Sequence, residues 1–354
     1  MANALLSLLD VTKRKGNDQE VGLLEDTITY APELSAIGGR AINGTQYKTL
    51  HRTLPTVHFR TANNGSDTVK GTYRQSLHEC SLIDAQIQAD RAVTDAEAKD
   101  NGAEAGIGDL LFDEAQGAVQ AAYITVGTQV YYGTSADSNG FAGIQSLTAS
   151  INEGKNQQPP VVTPATAGGA HGTTANQQTS VYMIWENIRG AHFIFGNNSG
   201  LTMLPEWRIQ QVLGANSKPL TAYVNNLEGW IGFAVNHPLS VMRIADINLT
   251  DSTGQANLTD KVVAALLSFI PLQMRMEVIA NFNTGGPNKF GPGLKLLMNP
   301  QAAYSLQQSR TPQLSGTGTA ITAATALQFA AMPVESNGIP IIVTDSITST
   351  EAVI

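Results

Sequence analysis

The stretch GTQYKTLHRTLPTVHFRTANNGSDTVKGTYRQS, Gly44 to Ser76, constrains the fold more than any other part of the chain. It alternates as a β-strand does, and Asn63-Asn64-Gly65 supplies residues that tolerate positive φ for a reversal. Leu50 and Leu54 share one phase; Val57 and Phe59 share the other. The switch falls at Pro55, which has no N–H for a ladder and suits an edge or a bulge. The pattern predicts a long hairpin whose return strand runs through Tyr73 and Leu77. An isolated two-stranded ribbon is marginal in water. This one has too few large apolar side chains to improve on that, so it needs a surface outside itself.

The ribbon is also basic in an acidic protein. It holds Lys48, Arg52, Arg60, Lys70 and Arg74 against the single acid Asp67. The chain of 354 residues has 21 bases and 29 acids, a formal charge of −8, and removing the ribbon leaves 16 against 28, or −12. The counterweight lies directly downstream, between Glu79 and Glu114. Its acids include Asp84, Asp90, Asp95, Glu97, Asp100, Glu104, Asp109, Asp113 and Glu114, against Arg91 and Lys99 only. A basic stripe can serve nucleic acid. Here the sequence pI is near 5.2 and no aromatic stacking platform interleaves the bases, so an acidic protein surface is the expected partner.

Hydrophobic residues make up 42% of the chain, ample for a core, while only 14% is charged and 33 residues are Gly, so much of the surface must be uncharged and polar. Residues 1 to about 30 read as an arm, with a short amphipathic patch at Val21, Leu23, Leu24 and Ile28 that requires a surface to lie on. Thr94 followed by Glu97 forms a capping-box pattern. Ile107, Leu111, Ala115, Ala118 and Ala122 then step as one helical stripe. The glycines at 102, 106, 108 and 117 weaken it, so the helix is expected to be strong from about Asp109 to Val126 and irregular before that. Farther on, SVYMIW and AHFIFG alternate as strands, and Ala222 to Asn248 reads as two long strands broken near Asn236-His237-Pro238. Thr259 or Asp260 caps a buried helix. Asn299 and Pro300 are N-cap and first residue of another that ends near Arg310. Asn337-Gly338 is the best short hairpin signal in the chain. Asn152 to Ser180 reads as a polar loop.

No catalytic constellation emerges. There is no G-x-S-x-G elbow and no G-x-x-x-x-G-K-[ST] loop, and GAEAGIG neither follows a strand nor has dinucleotide-loop spacing. The histidines at 51, 58, 78, 171, 192 and 237 show no metal-ligand spacing. Cys80 is the only cysteine, which excludes an intrachain disulfide or a Cys-based zinc site. The run Ala4 to Leu9 precedes the bases Lys13, Arg14 and Lys15, the reverse of a signal peptide, and no apolar stretch is long enough to span a bilayer. No enzyme activity, cofactor, metal or membrane is expected.

Several motifs, in order, resemble the major capsid proteins of tailed bacteriophages, the N-terminal half matching a short-tailed-phage branch. They are DVTKR at Asp10 to Arg14, HRTLPTVHFR at His51 to Arg60, VYYGTSADSNGFAGI at Val130 to Ile144, RIADIN at Arg243 to Asn248 and GIPIIVTDSI at Gly338 to Ile347. The resemblance implies an α+β fold of the Hong Kong 97-like type. Its parts would be an N-terminal arm (1–30), an extended loop (44–76), a peripheral domain (31–43, 77–135 and 220–250) with a spine helix over about 95–126, and an axial domain (136–219 and 251–354). In the commoner version the axial helix, the strand–Asn-Pro–helix unit and the G-[IL]-P-[VI] strand precede the long returning strands; here they follow them. A permuted connectivity is therefore expected, with the last strand axial and Ala222 to Asn248 peripheral.

By the same resemblance the chain self-assembles into hexamers and pentamers of an icosahedral shell around double-stranded DNA, which it does not bind sequence-specifically. Assembly would occur in the host cytoplasm through a procapsid that matures. Portal, scaffold and cement proteins are the further partners implied. The five ribbon bases would then lie over the acids at 84 to 114 of a neighbouring subunit. Some members of this fold join a loop Lys to a neighbour's Asn; Lys48 and Lys70 qualify by location, but no motif marks the bond, and solvated or salt-bridged lysines are the expectation. An encapsulin-like compartment shell and a tail or receptor-binding protein are the rival readings.

Overall fold

The run predicted as the first returning strand organises one half of the molecule. The computed structural model describes residues 29–100, 109–152, 158–203, 206–214, 217–250, 257–270, 293–310 and 330–354, apart from the side chains of 97–100 and 109–110. The predicted arm patch lies outside these residues. In chain order the strands are β1 (Gly39–Ala41), β2 (Gln46–Thr53), β3 (Thr72–Glu79), β4 (Ser81–Asp90), β5 (Val161–Val162), β6 (Gln178–Trp185), β7 (Ala191–Phe195), β8 (Thr202–Met203), β9 (Arg208–Leu213), β10 (Pro219–Val235), β11 (Val241–Asn248), β12 (Leu294–Met298), β13 (Glu335–Ser336) and β14 (Ile339–Val343). Among the described residues, the helices of eight residues or more are α1 (Arg91–Asp100), α2 (Asp109–Tyr132), α3 (Asp260–Ser268) and α4 (Pro300–Arg310).

β10 is the spine of the first sheet. It pairs antiparallel with β4 along one edge, and with β9, β8 and β7 in succession along the other, while β1 adds parallel to β7. The second sheet runs β13-β14-β12-β6-β11-β5. β6 is buried along its whole length, and its period-2 alternation divides it between two cores. Val181, Met183 and Trp185 face α3 and α4 together with Met242, Ile244, Leu296 and Met298. Tyr182 and Ile184 face the end of α2, against Val126, Val130, Tyr131, Phe193 and Phe233.

α2 is the predicted long helix, and its 24 residues extend about 36 Å. It buries Leu111, Ala122, Val126 and Val130, continuing the predicted stripe past Val126. It ends at Gly133, whose φ of +55° is left-handed and whose backbone packs directly on that of Gly143, leaving no room for a side chain at either position.

Three local expectations differ. The first is the capping box at Thr94: α1 begins at Arg91, because Asp90 Oδ1 already accepts from Ala92 N at 2.9 Å, and Thr94 sits inside the helix, donating to Asp90 O. The second concerns the bounds of the spine helix expected over about 95–126: the described residues give helix over Arg91–Asp100 and Asp109–Tyr132, and the stretch between lies outside them. The third is the grouping of strands. β7, β8 and β9, expected in the axial part, join β10 in the first sheet, and β11, expected beside β10, pairs with β6 in the second. The 3-10 turn at Pro238–Ser240 between β10 and β11 lets the chain leave one sheet for the other. The polar loop also contains structure: β5 adds parallel to β11, and residues 159–164 are buried. The caps at Thr259 and Asn299 fall as expected, Asn299 Oδ1 accepting from Ala302 N at 2.7 Å. So does the reversal at Asn337-Gly338, where both residues have positive φ.

Two buried charges tie the sheets to the helices. Arg243 of β11 is fully buried; its Nη2 donates to Glu351 Oε2 at 2.8 Å, its Nε to Ser180 Oγ at 2.9 Å and its Nη1 to Thr148 O at 3.1 Å. Tyr132 OH, at the end of α2, donates to the other Glu351 oxygen at 2.7 Å. Removing one member of such a pair typically costs 3–5 kcal/mol, because the other is left buried and uncompensated. Glu33 is the second charge. Its Oε1 accepts from Tyr131 OH at 3.1 Å and from Thr344 Oγ1, while Oε2 has no partner of good geometry although Ser346 Oγ stands nearby. Burial raises the Glu33 carboxyl above its ordinary value of 4.5, against hydrogen bonds that lower it. A raised folded pKa gives stability that is full below the ordinary value and lost as pH rises through the folded one. Glu33→Gln is therefore expected to melt higher than the parent at pH 8, with the advantage shrinking toward pH 4.5. Calorimetry across that range checks it, and an equal or lower melting temperature at pH 8 contradicts it.

Candidate assembly interface

β2 and β3 form the predicted ribbon, paired from Gln46↔Glu79 to Thr53↔Thr72. The ladder stops two residues before Pro55. Residues 54–71 form no further strand pairs, and the chain reverses at Asn63, whose φ is +72°. The ribbon is anchored at its base. Cys80 N donates to Thr45 O at 2.9 Å, and Tyr47 packs on the small cluster of Ile42, Cys80, Ile194 and Ala234. Toward the tip its large apolar side chains are exposed: Leu50 by 71%, Val57 by 76% and Phe59 fully.

Strand alternation separates bases that the sequence groups together. Lys48 and Arg52 lie on one face with Leu50, Tyr73 and Leu77, all exposed. Arg74 lies on the opposite face with His51 and His78, looking across a cleft of about 710 Å3 toward Ala142–Ser150 and Pro238 of the same chain. Arg60 and Lys70 belong to the tip, where Arg60 donates to Asn64 O. None of the five has an ion pair among the described residues.

The acids fall on three elements. Asp84 and Asp90 belong to β4, a strand the sequence reading passes over; Asp95, Glu97 and Asp100 to α1; Asp109, Asp113 and Glu114 to the start of α2. Glu104 lies outside the described residues. Asp90 is committed to capping α1. Asp95 pairs with Arg91 at 3.3 Å and accepts from Tyr223 OH at the same distance. Asp84 is exposed and stands opposite Glu228 of β10 in the ladder. Like charges in direct register are unfavourable, and neither has an ion pair among the described residues. Glu228 was not among the acids singled out from sequence. Only the β10–β4 register reveals it.

The ribbon base is lined with imidazoles. Tyr47 lies 6.3 Å from the His78 ring and 5.6 Å from the His192 ring, with the Arg40 guanidinium 5.7 Å over its face. Neither His192 nitrogen has a hydrogen-bond partner of good geometry, although the Asn187 backbone stands near, nor has His78 Nε2. Burial pushes His78, His192 and His237 below the ordinary imidazole value of 6.5. For His78 the charges of His192 and His51 add to this, and for His237 that of His51; for His192 the Asn187 backbone opposes it and the charge of Arg40 adds to it. Among the described residues no group of three or more His, Cys, Asp and Glu is placed to hold a metal ion, and no helix is long and apolar enough to cross a membrane.

The family model described as "Major capsid protein GP7" matches residues 36–354. A chain from the structure of bacteriophage epsilon15 superposes with a TM-score of 0.65 at 18% identity, covering 100% of this chain and 98% of that one. A chain of Mycobacterium phage Cain gives 0.42 at 11% identity over 68% of this chain and 97% of that one. One from the encapsulin complex of Synechococcus elongatus PCC 7942 gives 0.42 at 11% identity, with 70% and 98% covered. No curated protein matches by sequence. A mixed α+β body with a projecting ribbon and a long helix is the Hong Kong 97-like fold of phage capsid proteins, as the resemblance implied. The chain belongs to the major capsid protein GP7 family: it is a structural subunit of the multimeric shell that forms a phage's capsid.

A histidine with a depressed folded pKa gives stability that is whole above its ordinary value and is lost as pH falls through the folded one. The melting temperature of the unassembled subunit is therefore expected to decline as pH drops below 6.5, and His192→Asn should make that decline shallower. A parallel pH profile for parent and variant would show that the ribbon-base imidazoles contribute nothing to it.

Proposed function

We propose that the chain builds hexamers and pentamers of an icosahedral shell enclosing double-stranded DNA, assembled in the host cytoplasm, and that the ribbon of each subunit clamps the acidic region at 84–114 of its neighbour. The observation that carries this is the ribbon itself: exposed apolar side chains toward its tip and, among the described residues, bases without ion pairs. Opposite charge steers and registers such a contact, while each exposed pair adds only about 0–1 kcal/mol. Repeated around a closed shell, weak contacts sum to stability, yet each stays reversible during assembly. DNA is held without sequence preference, a like-signed inner surface keeping it from sticking. Portal, scaffold and cement proteins complete the particle.

We divide the body into a peripheral part (31–43, 77–135 and 191–235) and an axial part (136–190 and 236–354). This amends the division expected from sequence by the sheet each strand joins.

Arg52→Glu combined with Arg60→Glu is expected to leave a folded monomer that fails to form shells. Circular dichroism, sizing chromatography and negative-stain microscopy read the outcome. Shells of normal yield and size from this variant would refute the charge clamp, and shells filled with an enzyme instead of DNA would refute the genome-container reading.

A further inference from the structure

β4 ends its sheet. β10 pairs along one side of it, and among the described residues no strand pairs along the other. An open edge of that length is a template for another chain. Beside it lies a cleft of about 410 Å3 between Ser81–Ala85 and the wall of α2. Small and apolar side chains, Ala118, Ala121, Ala122 and Ile231, line it together with the polar Thr125 and Gln129, and two acids, Asp84 and Asp137, stand on its lining. A free strand edge with an apolar hollow and acidic borders suits an extended basic segment carrying one bulky anchor.

The ribbon tip offers that segment. Thr56–Arg60 has no ladder partner, and Phe59 stands fully exposed between His58 and Arg60. We propose that Thr56–Arg60 of a second copy adds as a strand to the free edge of β4, seating Phe59 in the alanine-lined cleft and Arg60 against Asp84 and Glu228. This rests on the ribbon-clamp reading and specifies its seat. The lengths agree: five residues of strand span about 17 Å, and Ser81–Ala85 is also five residues. Pro55 sets the upstream limit, since it has no N–H to carry the added ladder farther. The guanidinium relieves the juxtaposed carboxylates of Asp84 and Glu228, which have no ion pair among the described residues.

The test places a photo-reactive aromatic at the anchor, Phe59→p-benzoylphenylalanine, in the full-length chain, and irradiates assembled shells. The expected product is a covalent dimer on a denaturing gel, its link mapped by mass spectrometry to 81–85 or 118–122. A link to the same chain, to another region of the neighbour, or to a different protein overturns the seat. In parallel, Ala121→Trp fills the cleft and is expected to cut shell yield about thirtyfold, the scale of losing one interface anchor, with the monomer's circular dichroism and melting temperature unchanged. Normal yield from Ala121→Trp, with no shells from the Arg52 and Arg60 reversal, refutes this seat while the clamp stands. Normal yield from both refutes the clamp itself.

Discussion

A two-stranded ribbon satisfies its backbone and nothing else. In β2 and β3 each strand gives the other its hydrogen bonds, but a pair of strands has two faces and no interior. Face-to-face burial must come from another layer, and among the described residues the body packs on the ribbon at its base, through Tyr47, Cys80 and the imidazoles of His78 and His192. Past that point Leu50, Tyr73, Val57 and Phe59 face solvent. The rest of the architecture follows from holding such an element in place: a long strand, β10, braced on both edges, a long helix across it, and a second sheet that buries the helix end.

The body is over-determined where the ribbon is under-determined. Tyr131 and Tyr132, adjacent at the end of α2, reach different buried carboxylates, Glu33 near the start of the described chain and Glu351 near its end. Arg243 links Glu351 to β6 and to Thr148. These contacts join segments more than two hundred residues apart in some cases, and partial satisfaction would be costly in so dry a place. The cost falls on Glu33, whose second oxygen is unpaired. Strain of this kind is tolerable in a body that must hold one shape while its projection adapts to a neighbour.

Local chemistry was legible in the sequence, and long-range pairing was not. The caps at Thr259 and Asn299, the Asn337-Gly338 reversal and the stripe on α2 each depend on residues within a turn or two of one another. β4 was legible in principle: in SLIDAQIQAD, Ile83, Ala85 and Ile87 alternate inward against Leu82, Asp84 and Gln86. Its acids drew attention to charge and away from period. Sheet membership carried no local mark, because β10 and β11 both read as buried strands and part company around the short 3-10 turn at Pro238–Ser240. Glu228 beside Asp84, and Glu351 beside Arg243, are products of register and closure that no window of sequence contains.

The charge asymmetry therefore has to be read by position, not by sum. Of the acids between Asp84 and Glu114, Asp90 and Asp95 already serve α1, as cap and as partner of Arg91, so they bring less to a neighbour than their number suggests. Asp84 brings more, because Glu228 doubles it at one point on an open strand edge. On the ribbon, Arg74 turns toward its own body while Lys48 and Arg52 turn away. A contact built on these groups is narrower than two opposed charge runs. A few charges set the register, and exposed side chains such as Phe59 must supply the apolar area, since exposed ion pairs alone are worth too little.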